Sequence, residues 1–198
     1  MRAYYEYPLL RELAFLWPPL FYWRQVTLRA LLRHLPDEAP PRLLEIGCAT
    51  GFLTRKLRER YPGTEIWAVD LSRRAIRRAQ RRRLPGVHFR VADFLDRLPQ
   101  RGFPLVVSMN VFQLLPQDLA FQRLRDLLAP GGRALLTLTS ETLLTRWHRR
   151  LYRALARSDV CLDSPETVAR RARAVGLAVE LAPIEATEGS YLLTLQRL

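Results

Sequence analysis

Acidic residues are scarce in this chain of 198: 19 Asp and Glu stand against 32 Lys and Arg, a net charge of +13. The basic side is itself lopsided. Lys56 is the only lysine, so 32 − 1 = 31 of the cations are arginine. GC-rich coding produces such a skew as readily as function does. Two readings stay open: a solvated arginine surface, which is the simpler, or attraction to nucleic acid, anionic lipid or an acidic carrier. Cysteine is scarcer still. Cys48 and Cys161 alone make neither a disulfide framework nor a zinc spacing, which fits a reduced cytoplasmic setting. His34, His88 and His148 are scattered without metal-ligand spacing, so no metal is expected. No nucleophile elbow is present, which excludes the common Ser/His/Asp arrangement. No apolar core leading to a small-residue cleavage site opens the chain, so no signal peptide is expected. The run Leu13 to Trp23 carries no charge but is 11 residues long and contains Pro18-Pro19, too short and too broken to span a bilayer.

What is present is an α/β pattern. Leu43, Leu44 and Ile46 read as a buried strand, Gly47 to Gly51 as a tight loop, and Phe52 to Arg60 as a helix. A second buried strand, Glu65 to Val69, ends in Asp70, 19 residues after Gly51. Strand, glycine turn and helix followed by an acid at that distance is a nucleotide-binding arrangement, the acid being placed for ribose hydroxyls. The spacing Glu45-x-Gly47-x-x-x-Gly51 is not that of a dinucleotide site. Glu45 would crowd a pyrophosphate and suits a cationic ligand instead.

Further strands are predicted at 87–91, 105–108 and 133–139, and an antiparallel pair at 177–181 and 191–195. Helices are predicted at about 6–16, 20–35, 73–83 (with Ser72 as N-cap), 117–128 and 141–157, and a helix starting at Ser164-Pro165-Glu166 that ends at Gly176. The 73–83 helix carries seven arginines and a thin buried face of Ile76 and Ala79. With nothing aromatic interleaved, it reads as a sheet-covering helix with a charged outer side. Eight of the 19 aromatics fall in the N-terminal stretch: Tyr4, Tyr5, Tyr7, Phe15, Trp17, Phe21, Tyr22 and Trp23. They either pack on the sheet or lid the ligand, and a lid is the favoured reading. A peripheral membrane contact is the other use of such residues.

Five segments in order carry a resemblance: Glu45 to Gly51, Asp70-Leu71-Ser72, Val91-Ala92-Asp93-Phe94, Leu105 to Pro116, and Leu128 to Leu136. Over residues 40–140 the chain resembles the class I S-adenosylmethionine-dependent methyltransferases. Ala49 stands where that family usually has its middle glycine, and Pro104 where an Asp often opens the fourth strand. The resemblance implies a Rossmann-like, mostly parallel seven-stranded sheet with an antiparallel last strand and helices on both faces. It implies one domain over 1–198, with residues 1–40 as a helical lid and 41–198 as the core.

It also implies S-adenosylmethionine as cofactor. The backbone around Gly47, Cys48, Ala49 and Gly51 would hold the methionine part and Glu45 its ammonium. Asp70 would hold the ribose. Ala92 and Asp93 belong to the adenine-contacting segment, Asp93 accepting from the amino group and Leu71 and Phe94 walling the ring. Ser108 and Asn110 would lie beside the sulfonium. Cys48 itself reads as packing. The loop Val111 to Pro116 looks like that of small-molecule, quinone and carboxyl methyltransferases. Gln113 falls where many of those carry His, and could position an acceptor oxygen or cap the next helix. If a proton must leave the acceptor, His148, a tyrosine near the N-terminus or solvent would take it. The expected function is methyl transfer to a small or lipid-like acceptor. The alternatives are an RNA methyltransferase, which the arginines favour and the fourth-strand loop disfavours, and a non-catalytic cofactor-binding protein.

Overall fold

The computed structural model describes residues 18–96, 98, 100–142, 145–146 and 161–198 of the chain. The expected helices at 6–16 and 141–157, residues Tyr4 to Trp17 and His148 lie outside or largely outside them. The described elements are α1 (Pro18–Arg33), β1 (Arg42–Ile46), α2 (Phe52–Arg60), β2 (Glu65–Asp70), α3 (Arg73–Gln80), β3 (Val87–Val91) and β4 (Phe103–Met109). A 3-10 turn (Phe112–Leu114), α4 (Gln117–Leu127), β5 (Leu128–Thr139), α5 (Pro165–Ala174), β6 (Leu177–Pro183) and β7 (Ser190–Arg197) complete the order.

The seven strands form one sheet in the order β3-β2-β1-β4-β5-β7-β6. Strands β3, β2, β1, β4 and β5 are parallel, and β7 slots antiparallel between β5 and β6. Strand order reverses between β1 and β4. That switch point opens the ligand crevice of doubly wound sheets, at the carboxyl ends of the strands.

The two sheet faces are covered by different helices. Leu43, Ile66, Leu105, Val107 and Leu135 pack under Leu28 and Leu31 of α1 and Leu53 and Leu57 of α2. Ala68 and Phe89 on the same face take Ile76 and Ala79 of α3. The other face buries Leu44, Ile46, Val106, Leu136 and Leu138 under Phe121 and Leu124 of α4 and Val168 and Ala172 of α5. Fully burying one such side chain stabilises the fold by about 1.5–3 kcal/mol before entropy is counted.

Two boundaries differ from expectation for local reasons. Helix α3 stops at Gln80, because Arg83 adopts a left-handed φ of 48° and Pro85 follows. Strand β5 starts at Leu128, with Gly131 at φ 71° in its bulged beginning. Its pairing with β4 shifts register between Phe103 and Leu105, where Pro104 has no N–H to give. The N-terminal region also divides. Leu28 and Leu31 of α1 are core, so α1 is a sheet-covering helix for most of its length. Only its first turns reach the ligand edge: Trp23 Nε1 donates to Ser190 Oγ at 2.8 Å, and the Arg24 guanidinium lies 3.8 Å over the Phe52 ring.

Candidate active site

The loop after β1 is built by β2. Gly47 N and Cys48 N both donate to Val69 O, at 2.8 and 3.0 Å, and Gly51 N donates to Cys48 O. Gly47 sits at φ 75°, and a Cβ there would collide with Val111 Cγ2, so it is the loop after β4 that demands glycine here. Ala49 takes a left-handed φ of 49°, the conformation for which the usual glycine is suited. Cys48 is packed with Ala68, Ile76, Ala79 and Phe89, as expected for a small buried residue.

Asp70 is buried and occupied at both oxygens. Oδ2 accepts from Ala49 N and Oδ1 from Ser72 N, each at 2.8 Å. It therefore clamps the glycine loop to the start of α3. Each carboxylate oxygen keeps a second lone pair for a ligand hydroxyl. Asp93 Oδ1 accepts from Leu95 N at 2.9 Å, a turn-capping bond. Ala92 N donates to Asp70 O, and Leu71 is half-buried. Phe94 differs from its expected place against a ligand: its buried ring packs 5.6 Å from that of Phe112, in the core. Ser108 also turns inward, donating from Oγ to Ile46 O at 2.9 Å and so tying β4 to β1. Asn110, at φ 59°, accepts on Oδ1 from Thr137 Oγ1.

Glu45 is 2% exposed, and its Oε2 has no hydrogen-bond partner. Burial, with a smaller push from the neighbouring Asp70 charge, raises its carboxyl to about 8. The Thr54 hydroxyl pulls the other way, but it too is buried without closing a bond of ordinary geometry. A buried acid with an orphaned oxygen is a receptor for a cation. Helix α2 starts at Gly51 with no side-chain cap, so its first N–H groups stay open toward the crevice. A nucleoside with an amino-acid tail offers a ribose diol, an adenine amine and an ammonium. Asp70, Asp93 Oδ2 and Glu45 Oε2 are acceptors available to these, and the set fits S-adenosylmethionine.

At the ends of β4 and β5 the structure assembles residues that no local sequence signal joined. Gln113 is 7% exposed with Oε1 unpartnered, and Thr139 Oγ1 is likewise buried and unpartnered. Cys161 N donates to Gln113 O at 2.7 Å, and Glu141 N to Leu162 O at 3.1 Å, so residues 161–162 strap the two loops together. Arg171 of α5 holds the strap through Asp163 Oδ2 at 2.7 Å and Gln117 Oε1 at 2.8 Å. Burial pushes the Tyr191 hydroxyl and the Cys161 thiol up from their ordinary values.

A doubly wound sheet with an acidic residue and a glycine loop after β1, and a carboxylate closing β2, defines a Rossmann-like nucleoside-binding protein. The family model described as a methyltransferase domain matches residues 20–182, and the chain belongs to the class I S-adenosylmethionine-dependent methyltransferases. The trans-aconitate 2-methyltransferase of Methylobacterium radiotolerans is 34% identical over 148 residues, covering 72% of this chain and 56% of that protein. The chain spans about half the length of the curated relatives it matches. Among solved structures, the N-methyltransferase NodS of Bradyrhizobium japonicum is 25% identical with a TM-score of 0.69, covering 87% of this chain and 95% of NodS. A Haloferax volcanii methyltransferase solved with the activator Trm112 shares the fold at a TM-score of 0.80 and 19% identity, over 98% and 97% of the two chains.

Proposed function

We propose that this chain transfers a methyl group from S-adenosylmethionine to a carboxylate oxygen of a small organic acid. The observation that carries the reading is the lack of an available base among the described residues at the ends of β4 and β5. Tyr191 and Cys161 are held protonated by burial, and Glu45 is neutral below about pH 8. Asp163 is engaged by Arg171, and Glu141, just past β5, by Arg146 at 3.7 Å. His34 bonds to Ala30 O on α1, and His88 lies on the edge strand β3. A quinol or amine acceptor has a proton to lose, whereas a carboxylate is already ionised at neutral pH and needs no base. The name of the 34% identical relative, a trans-aconitate 2-methyltransferase, supports the same choice.

When bound, the cofactor supplies a methyl group made electrophilic by its sulfonium. The chain's own work is alignment and exclusion of water. Asp70 would hold the ribose, Asp93 the adenine amine and Glu45 the ammonium. The Gln113 amide, pinned through its backbone by Cys161, would donate to the acceptor's non-reacting oxygen. The reaction leaves a methyl ester and no proton to remove.

The test is incubation with radiolabelled S-adenosylmethionine and trans-aconitate, together with other di- and tricarboxylates, a quinol and an amine. The expected product is a methyl ester that releases labelled methanol in mild alkali. An alkali-stable product, or turnover confined to the quinol or amine, overturns the carboxylate assignment.

A further inference from the structure

We propose that the β3 edge of the sheet is a docking surface for single-stranded RNA, separate from the methyl-transfer site and independent of the acceptor assigned above. Residues 71–92 hold eight arginines and none of the chain's 19 acidic residues. GC-rich coding favours arginine over lysine, but it does not remove Asp and Glu. Arg73, Arg77, Arg81, Arg83 and Arg90 are exposed, and their side chains make no hydrogen bond or ion pair with the described residues. Arg73, Arg77 and Arg81 recur every fourth residue on the side of α3 opposite its buried Ala75, Ile76 and Ala79, stepping about 6 Å along its axis. A row of unneutralised guanidiniums is a track for phosphates.

The second observation lies on the other face of the same edge. A parallel crossover is ordinarily covered by a helix, but residues 92–102 form none among those described. Phe94 and Leu98 bury Val69 on that face of β2, but Trp67 and His88 beyond it stay half-open. Trp67 and His88 stack there with ring centroids 4.6 Å apart and planes 29° from parallel, and the Arg90 guanidinium stands 6.0 Å from the Trp67 ring. The His88 side chain is 39% exposed, and its Nε2 lies 3.1 Å from Glu65 Oε1, a carboxylate beside this stack. This is the aromatic partner that the arginine helix lacks along its own sequence. A π surface flanked by arginine stacks unpaired bases, which a duplex keeps inside. A membrane surface is less suited, because Val91 is the one large apolar side chain exposed on this edge. In the strand order, β3 stands four positions from β5, about 19 Å at ordinary strand spacing, so this edge is separate from the methyl-transfer site.

The experiment is fluorescence anisotropy of a labelled 12-nucleotide oligouridine with the full chain across a salt series. Five phosphate contacts predict a log–log slope of about −3.5. Replacing Arg73, Arg77, Arg81, Arg83 and Arg90 with Gln should bring the slope toward zero while S-adenosylhomocysteine still binds. H88A, which removes a half-exposed ring stacked on Trp67 and paired with Glu65, should weaken oligouridine binding about tenfold with the slope unchanged while S-adenosylhomocysteine still binds, and W67A should do so at least as strongly. Equal or tighter binding of duplex DNA or of phosphatidylglycerol vesicles overturns the proposal. So does an H88A affinity equal to that of the parent, or a slope indifferent to the five glutamines.

Discussion

Asp70 shows how a single side chain serves two ends. Its two bonds to Ala49 N and Ser72 N build the loop, and each oxygen keeps a lone pair with which it can accept from a ligand hydroxyl. Asp70→Ala should weaken S-adenosylhomocysteine binding by about 1.5–3 kcal/mol, read by calorimetry, and should also lower stability, because two buried N–H groups lose their acceptor. Glu45 gives a pH dependence of defined sign. Its folded value, raised to about 8, lies above the ordinary value of 4.5, so its contribution to stability is present at low pH and is lost as pH rises from about 4.5 through 8. Chemical denaturation across that window should show this fall, and Glu45→Gln should flatten it. An ammonium beside the carboxyl favours its ionised form, so ligand binding below pH 8 should release a proton. Affinity should then climb by up to about tenfold per pH unit, with heats that differ between buffers of unlike ionisation enthalpy. Ala49 carries the opposite kind of signature, a methyl group in a left-handed conformation. Ala49→Gly should raise stability by up to about 1 kcal/mol, the relieved backbone energy exceeding glycine's extra freedom in the unfolded chain. An equal or lower unfolding midpoint would contradict that account.

Among the elements, α1 is the one whose role the structure redefines. Its aromatic start suggests a cover for the ligand, yet Leu28 and Leu31 are buried against β1, β4 and β5 residues. Leu31→Ala should therefore cost about 2–5 kcal/mol, as a core truncation does, whereas a lid residue would barely affect stability. Equilibrium denaturation distinguishes the two. Strand β7 has a comparable effect at the other end of the sheet. By inserting beside β5 it brings Ser190 to Trp23 and Tyr191 to the side of the Cys161 strap. Helix α5 contributes Arg171, whose fork joins the strap to α4 through Gln117.

At the scale of the whole molecule, the crevice at the switch point needs a cover over the ends of β4 and β5, and the first turns of α1 reach that edge through Trp23 and Ser190. Phe21 and Tyr22 are about half exposed at that edge. Deleting residues 1–23 should reduce turnover far more than it reduces S-adenosylhomocysteine binding. A truncated protein that stays folded and turns over at the full rate would show that this segment plays no part in covering the acceptor. Among the described residues no helix is long and apolar enough to cross a membrane.

Much of this molecule was legible in the linear chain because the strands of a buried parallel sheet are short apolar runs and the turns between them need particular residues. Helix Phe52–Arg60 and strand Val87–Val91 fall where periodicity put them, and Asp70 sits at the end of β2 because that spacing is local to one βαβ unit. The inward turn of Phe94 and Ser108, the demand of Val111 for a glycine at 47, and the meeting of Gln113 with Cys161 were not legible. Each depends on a contact between elements whose approach is set by sheet order and core packing. Local propensity acts over a turn or a strand, so it determined the elements and the loop that ends β1. Which side chains face the crevice, and which are held in the core behind it, was decided only when the strands took their order.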